Sequence, residues 1–218
     1  MALPFAFPKC RIFVAASALL FAHAISSPAM ADTITDPIND FIPTFTGTHD
    51  PSLDVVTFSA TFDGATFHLT GVENGPIAGF STGLFVIGFN RGLGASNFSA
   101  IGHGGVTFDS VVTMTSAGVL GGNILNLASV TDTISGNTFT INVPLASVPS
   151  LGGAAPSSYL VNLWPRDISQ AGNAAIADFA PDNSDLSVPE PLSVSLFAAG
   201  LLGLTFMRGR KIKTAKAA

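Results

Sequence analysis

Residues 53–72 read Leu-Asp-Val-Val-Thr-Phe-Ser-Ala-Thr-Phe-Asp-Gly-Ala-Thr-Phe-His-Leu-Thr-Gly-Val, and this stretch decides the fold class. Val56, Phe58, Ala60 and Phe62 fall on one side of an extended chain, with Thr57, Ser59 and Thr61 on the other. A period of two marks a half-buried strand. Asp63-Gly64-Ala65 supplies turn chemistry, and the alternation resumes over Thr66 to Val72 with Phe67 and Leu69 inward. Pattern and turn together predict a β-hairpin.

The same period extends outward along the chain. Gly83 to Phe89 is a continuous apolar run, the pattern of a strand buried on both faces. Val106 to Met114 alternates, with Val106, Phe108, Val112 and Met114 on one side. Asn123 to Ser135 and Thr138 to Val143 flank Ser135-Gly136-Asn137 as a second hairpin, and Tyr159 to Trp164 forms a strand that Pro165 stops. No helical stripe of ten or more residues interrupts them. About seven short strands, punctuated by Gly, Ser, Thr and Asn, predict an all-β domain, a β-sandwich of jelly-roll or Ig-like type. Eighteen phenylalanines against one Tyr and one Trp suit a Phe-filled core.

Both ends of the chain stand apart from this pattern. Lys9 and Arg11 precede the apolar run Ile12 to Ala24, and Ala29-Met30-Ala31 completes a signal peptide over residues 1–31, cut before Asp32. Its apolar core of 13 residues falls short of the roughly 18 that a membrane span requires. Cys10, the single cysteine, lies in that segment, so the exported domain folds without disulfides. Residues 32–187 hold Arg91 and Arg166 against thirteen acidic residues, a formal net charge of −11. That sign repels a phosphate backbone and excludes nucleic acid as a partner class.

From residue 188 the composition changes. Val188-Pro189-Glu190-Pro191 leads into the uncharged segment Leu192 to Met207, which contains Gly200 and Gly203; Arg208, Arg210, Lys211 and Lys213 follow, and residues 214–218 form a tail. An apolar helix of sixteen residues spans about 24 Å, against a hydrocarbon core of roughly 30 Å. The basic cluster would stay on the cytoplasmic side. So short a span suits a transient hold at the membrane better than a permanent anchor; a plain single-pass anchor is the alternative.

These features together resemble the PEP-CTERM sorting signal of Gram-negative bacteria, over residues 188–213. Gly209 and Ile212 interrupt the tight basic run usual in that signal. The resemblance implies export, handling by an exosortase-type membrane protease, passage through the cell envelope membrane and delivery to the surface or an exopolysaccharide matrix. It implies nothing about residues 32–187.

Within the domain, Gly79-Phe80-Ser81-Thr82-Gly83 matches a nucleophile-elbow spacing, but that motif needs a helix after the serine, where Leu84 to Phe89 is strand-like. His49, His68 and His103 lack the spacing of a transition-metal site and read as solvated. Arg91, after the most apolar strand, reads as paired with a carboxylate. Trp164 and Tyr159 fall on opposite faces of the late strand and make no sugar-stacking platform. Two acidic clusters remain. Asp36, Asp40, Asp50 and Asp54 form a candidate calcium site; Asp178, Asp182 and Asp185, with Asn183, form a second group. Hard oxygen ligands on loops suit calcium, although neither cluster has EF-hand spacing. The expectation is a non-enzymatic, structural or adhesive exported domain. A carbohydrate- or ligand-binding sandwich supported by calcium is the alternative, and an envelope hydrolase comes last.

Overall fold

The computed structural model describes residues 31–189. Twelve strands occur: β1 (Asp32–Thr35), β2 (Val55–Phe62), β3 (Thr66–Glu73), β4 (Gly83–Asn90), β5 (Ala95–Ser96), β6 (Thr107–Phe108), β7 (Ser110–Thr115), β8 (Gly118–Gly122), β9 (Thr131–Ser135), β10 (Thr138–Pro144), β11 (Leu160–Asp167) and β12 (Leu186–Ser187). One sheet has the order β1-β2-β3-β10-β9 and the other β12-β11-β4-β7-β8; every pairing is antiparallel. Strands β5 and β6 make a separate two-stranded ribbon. Helical structure among the described residues is limited to short 3-10 turns, and no helix there is long and apolar enough to cross a membrane. The signal segment through Met30, the predicted C-terminal helix and the basic cluster lie outside the described residues.

Alternation builds the core. Phe58, Ala60 and Phe62 of β2, Phe67 and Leu69 of β3, and Phe139, Ile141 and Val143 of β10 meet Phe85, Ile87 and Phe89 of β4, Val112 and Met114 of β7, and Val161 and Leu163 of β11. The predicted hairpin forms as expected, with Asp63 Oδ1 accepting from the Ala65 and Thr66 amides and Gly64 at φ +100°.

Strand β4 is buried on both faces because the second sheet carries a second apolar layer. Val86 and Trp164 face outward, covered by Ile42 and Phe45 from the segment after β1, Phe98 and Val106, and Ile176 and Phe179. These covering segments are irregular, and they hold every member of the site described below.

Four details depart from the sequence reading. A β-bulge between Val55 and Thr57 turns Val55, not Val56, into the core. The run Val106 to Met114 does not keep one face: Val106 and Phe108 join the outer layer while Val112 and Met114 join the inner core. Residues 123–130 are turn and loop, with Asn126 at φ 47°, so the strand before the second hairpin begins only at Thr131. Pro165 does not stop β11, which runs to Asp167. Leu163 and Pro165 direct their backbone groups away from β4, toward residues 177–180, so the missing N–H costs no bond to β4. The fold also continues past residue 187. Val188 is fully buried in the core and Pro189 O accepts from Phe62 N, so the first two residues of the predicted sorting motif belong to the domain.

Candidate metal centre

The two acidic clusters of the sequence meet in space. Asp36 and Asp40, which follow β1, lie against Asp178 and Asp182, which precede β12; one carboxylate oxygen from each falls within 4.8 Å of the other three. Asp36 and Asp178 are buried, Asp40 is half-buried and Asp182 is exposed. No lysine occurs in residues 31–189, and the two arginines are engaged elsewhere. Arg91 Nε donates to Asp109 Oδ1 at 2.7 Å, as expected of a paired arginine, and Arg166 donates to Gly172 O.

Local structure fixes both arms of the site. On the first arm, Asp36 N donates to Val56 O and Ile42 N to Ala177 O. Between them Asn39 takes φ 63°, and its amide donates to both oxygens of Asp54 at 3.0 and 2.9 Å. Asp54 also accepts from Asn74 Nδ2 at 2.8 Å. It therefore organises the first arm and is not one of the four grouped carboxylates. Asp50 is also outside the group; it caps the turn Pro51–Leu53 by accepting from Ser52 N and Oγ.

On the second arm, Asp178 Oδ2 accepts from Val55 N and Oδ1 from Phe179 N. Asn162 Nδ2 donates to Pro181 O and Ser184 O at 2.7 and 2.8 Å, gripping the loop that carries Asp182. From the outer side, His103 Nδ1 contacts Asp182 O, Gly105 N donates to Asn183 Oδ1, and Thr107 donates to Asp185. Asn183 and Asp185 thus hold the loop, and His103 stacks on Phe179. His68 bonds Asn142 and Asp63, and His49 stacks on Phe41.

The electrostatics of the group are unfavourable without a counter-charge. Two ionised carboxylates about 5 Å apart repel by about 3 kcal/mol at an effective dielectric of roughly 20. Burial, then the charges of Asp182, Asp40 and Asp54, push the Asp36 carboxyl up to about 8. Burial and Asp36 push Asp178 up to about 9, and burial raises Asp40. Glu73, fully buried at the end of β3, is raised well above the usual carboxylate range by burial and by Asp178, Asp54 and Asp36. Neither of its carboxylate oxygens has a hydrogen-bond partner, and Asp36 Oδ2 and Asp40 Oδ1 are also buried and unpartnered.

Ser81 lies in the turn that opens directly into β4, so a strand and not a helix follows it. Trp164 and Tyr159 are buried, Tyr159 Oη donating to Val148 O at 3.1 Å. No family model, curated protein or solved structure matches this chain.

Proposed function

We propose that this chain is an exported β-domain, sorted through its C-terminal PEP-CTERM-like segment to the cell surface or extracellular matrix, with a structural or adhesive role there. One observation carries the reading: the predicted signal cut and the predicted sorting motif adjoin neighbouring strand ends of one folded unit. Strand β1 opens on Asp32, the first residue after the predicted signal cut, and the domain's last described contacts come from Val188 and Pro189. Ser187 Oγ donates to Asp32 Oδ2 at 2.5 Å, so the domain's two ends leave side by side.

Strand order supports the Ig-like alternative over the jelly roll. Taking β2, β3, β4, β7, β8, β9, β10, β11 and β12 in turn as A, B, C, C′, C″, D, E, F and G gives sheets ABED and GFCC′C″, with β1 added beside A. Tyr159, just before the F-equivalent strand and bonded back to Val148 O, occupies the place of the tyrosine corner. Fold analogy of this kind carries no activity with it. The burial of Trp164 and Tyr159 removes both from any glycan-stacking role, which favours the structural reading over a carbohydrate-binding one.

The test is intact-mass analysis of the protein from its native host, fractionated into membrane and matrix. A species beginning at Asp32 and ending within a few residues after Pro189 is the expected product. A membrane-bound species retaining Ala218 would replace the sorting reading with a single-pass anchor.

A further inference from the structure

We propose that Asp36, Asp40, Asp178 and Asp182 hold one calcium ion, which ties the segment leaving β1 to the segment leading into β12. The site is distinct from either acidic cluster taken alone in the sequence, since each contributes two ligands and neither suffices. It does not depend on how the chain is sorted.

Three observations carry it. The four carboxylate oxygens lie within 4.8 Å of one another. Four carboxylates converging in one cage suit calcium, since magnesium usually keeps several waters and takes only one or two carboxylates. Asp36 is only 5% exposed, yet its Oδ2 has no hydrogen-bond partner, and Oδ1 of the half-buried Asp40 is likewise buried and unpartnered. A buried carboxylate left without donors is relieved by a proton or by a cation, and one cation among four converging carboxylates relieves them together. Finally, no cationic side chain among the described residues pairs with the four; the ion pairs there are His68–Asp63 and Arg91–Asp109.

Residues outside the four ligands also anchor both arms. Asp54 fixes the Asn39 backbone on one side and Asn162 fixes the Pro181–Ser184 backbone on the other. An ion placed between them closes the irregular layer over the outer face of the second sheet. Its loss would loosen residues 36–42 and 178–185 together and leave the strand pairing intact.

The experiment is isothermal titration of the chelator-treated full-length protein with calcium chloride and, separately, magnesium chloride, with thermal denaturation in parallel. Expected are a single calcium equivalent, a melting temperature several degrees higher in millimolar calcium, and at least tenfold weaker magnesium binding. Asp182→Asn and Asp40→Asn alter the two least buried ligands. Each should weaken calcium binding at least tenfold while melting in chelator no lower than wild type. Asp50→Asn, outside the group, should bind as wild type does. No calcium heat or melting shift up to 10 mM would overturn the site, as would Asp182→Asn and Asp40→Asn variants that both bind normally. Equal affinity for magnesium would overturn the choice of calcium.

Discussion

At Gly88, on the outer face of β4, an added Cβ would stand 2.6 Å from the Trp164 ring and 3.1 Å from Phe108 Cβ. Both neighbours are packed in the outer layer, so Gly88→Ala should cost about 1–3 kcal/mol, read from the denaturant midpoint at unchanged slope. Tyr159→Phe should cost about 1 kcal/mol through the hydrogen bond lost at Val148 O. His68 and Asp63 set a local pH dependence. The His68 bond, followed by the Ala65 amide, holds Asp63 below its usual range. Burial opposes protonation of His68, but the bonds to Asp63 and Asn142 and the Asp63 charge together raise it. The histidine's contribution is complete below about pH 6.5 and fades as pH rises through its folded value; the aspartate's is complete above about pH 4 and fades on acidification. His68→Gln should therefore lower the melting temperature more at pH 5 than at pH 8, and by little at either pH, because the pair is exposed. Glu73 shows what a careful reading of the alternation contains. It ends the inward row Phe67, Leu69, Gly71 of β3, so the period of two by itself places a carboxylate in the core.

The corner where β4 leads to the β5–β6 ribbon and returns as β7 depends on one buried ion pair. Asp109 accepts from Arg91 N and Nε at 2.7 Å each and from Leu93 N, and Arg91 Nη1 reaches Pro149 O. Removing the carboxylate leaves a buried guanidinium uncompensated, so Asp109→Ala should destabilise by about 3–5 kcal/mol. A loss below 1 kcal/mol in chemical denaturation would show that the pair does not hold the corner. The same aspartate explains a limit of pattern reading. Alternation over Val106 to Met114 looks unbroken, yet Asp109 N bonds Phe89 O and the two halves face different layers. Hairpins with a compact turn, as at Asp63-Gly64-Ala65, were legible because turn chemistry and alternation are both local. The bulge at Val55 was not, since it answers to Asp178 Oδ2 accepting from Val55 N across 123 residues. For the same reason the acidic site was half legible. Its residue types were evident, but which two of each cluster converge depends on Asn39, Asp54 and Asn162 anchoring backbone far away in sequence.

Across the whole domain, stability in chelator should fall as pH rises from about 5 to 8. Asp36 and Asp178, pushed to about 8 and about 9, keep protons in the fold that the unfolded chain releases near pH 4. Glu73 acts in the same direction. A raised acid means the native state binds more protons, so the slope of stability with pH is negative over that interval. Asp36→Asn/Asp178→Asn should flatten the slope in urea denaturation followed across that range; a wild-type profile already flat in chelator would contradict the burial of these groups as charged-state penalties. The contact of Ser187 with Asp32 has a consequence for connectivity. Strands β1 and β12 lie at the edges of different sheets, yet their ends are neighbours, so the order in which the chain visits its strands is not tied to where it is cut. Joining residue 189 to residue 32 through a short glycine linker and opening the exposed Gly152-Gly153 turn should give a circular permutant with the same two sheets and the same core, Val188 included.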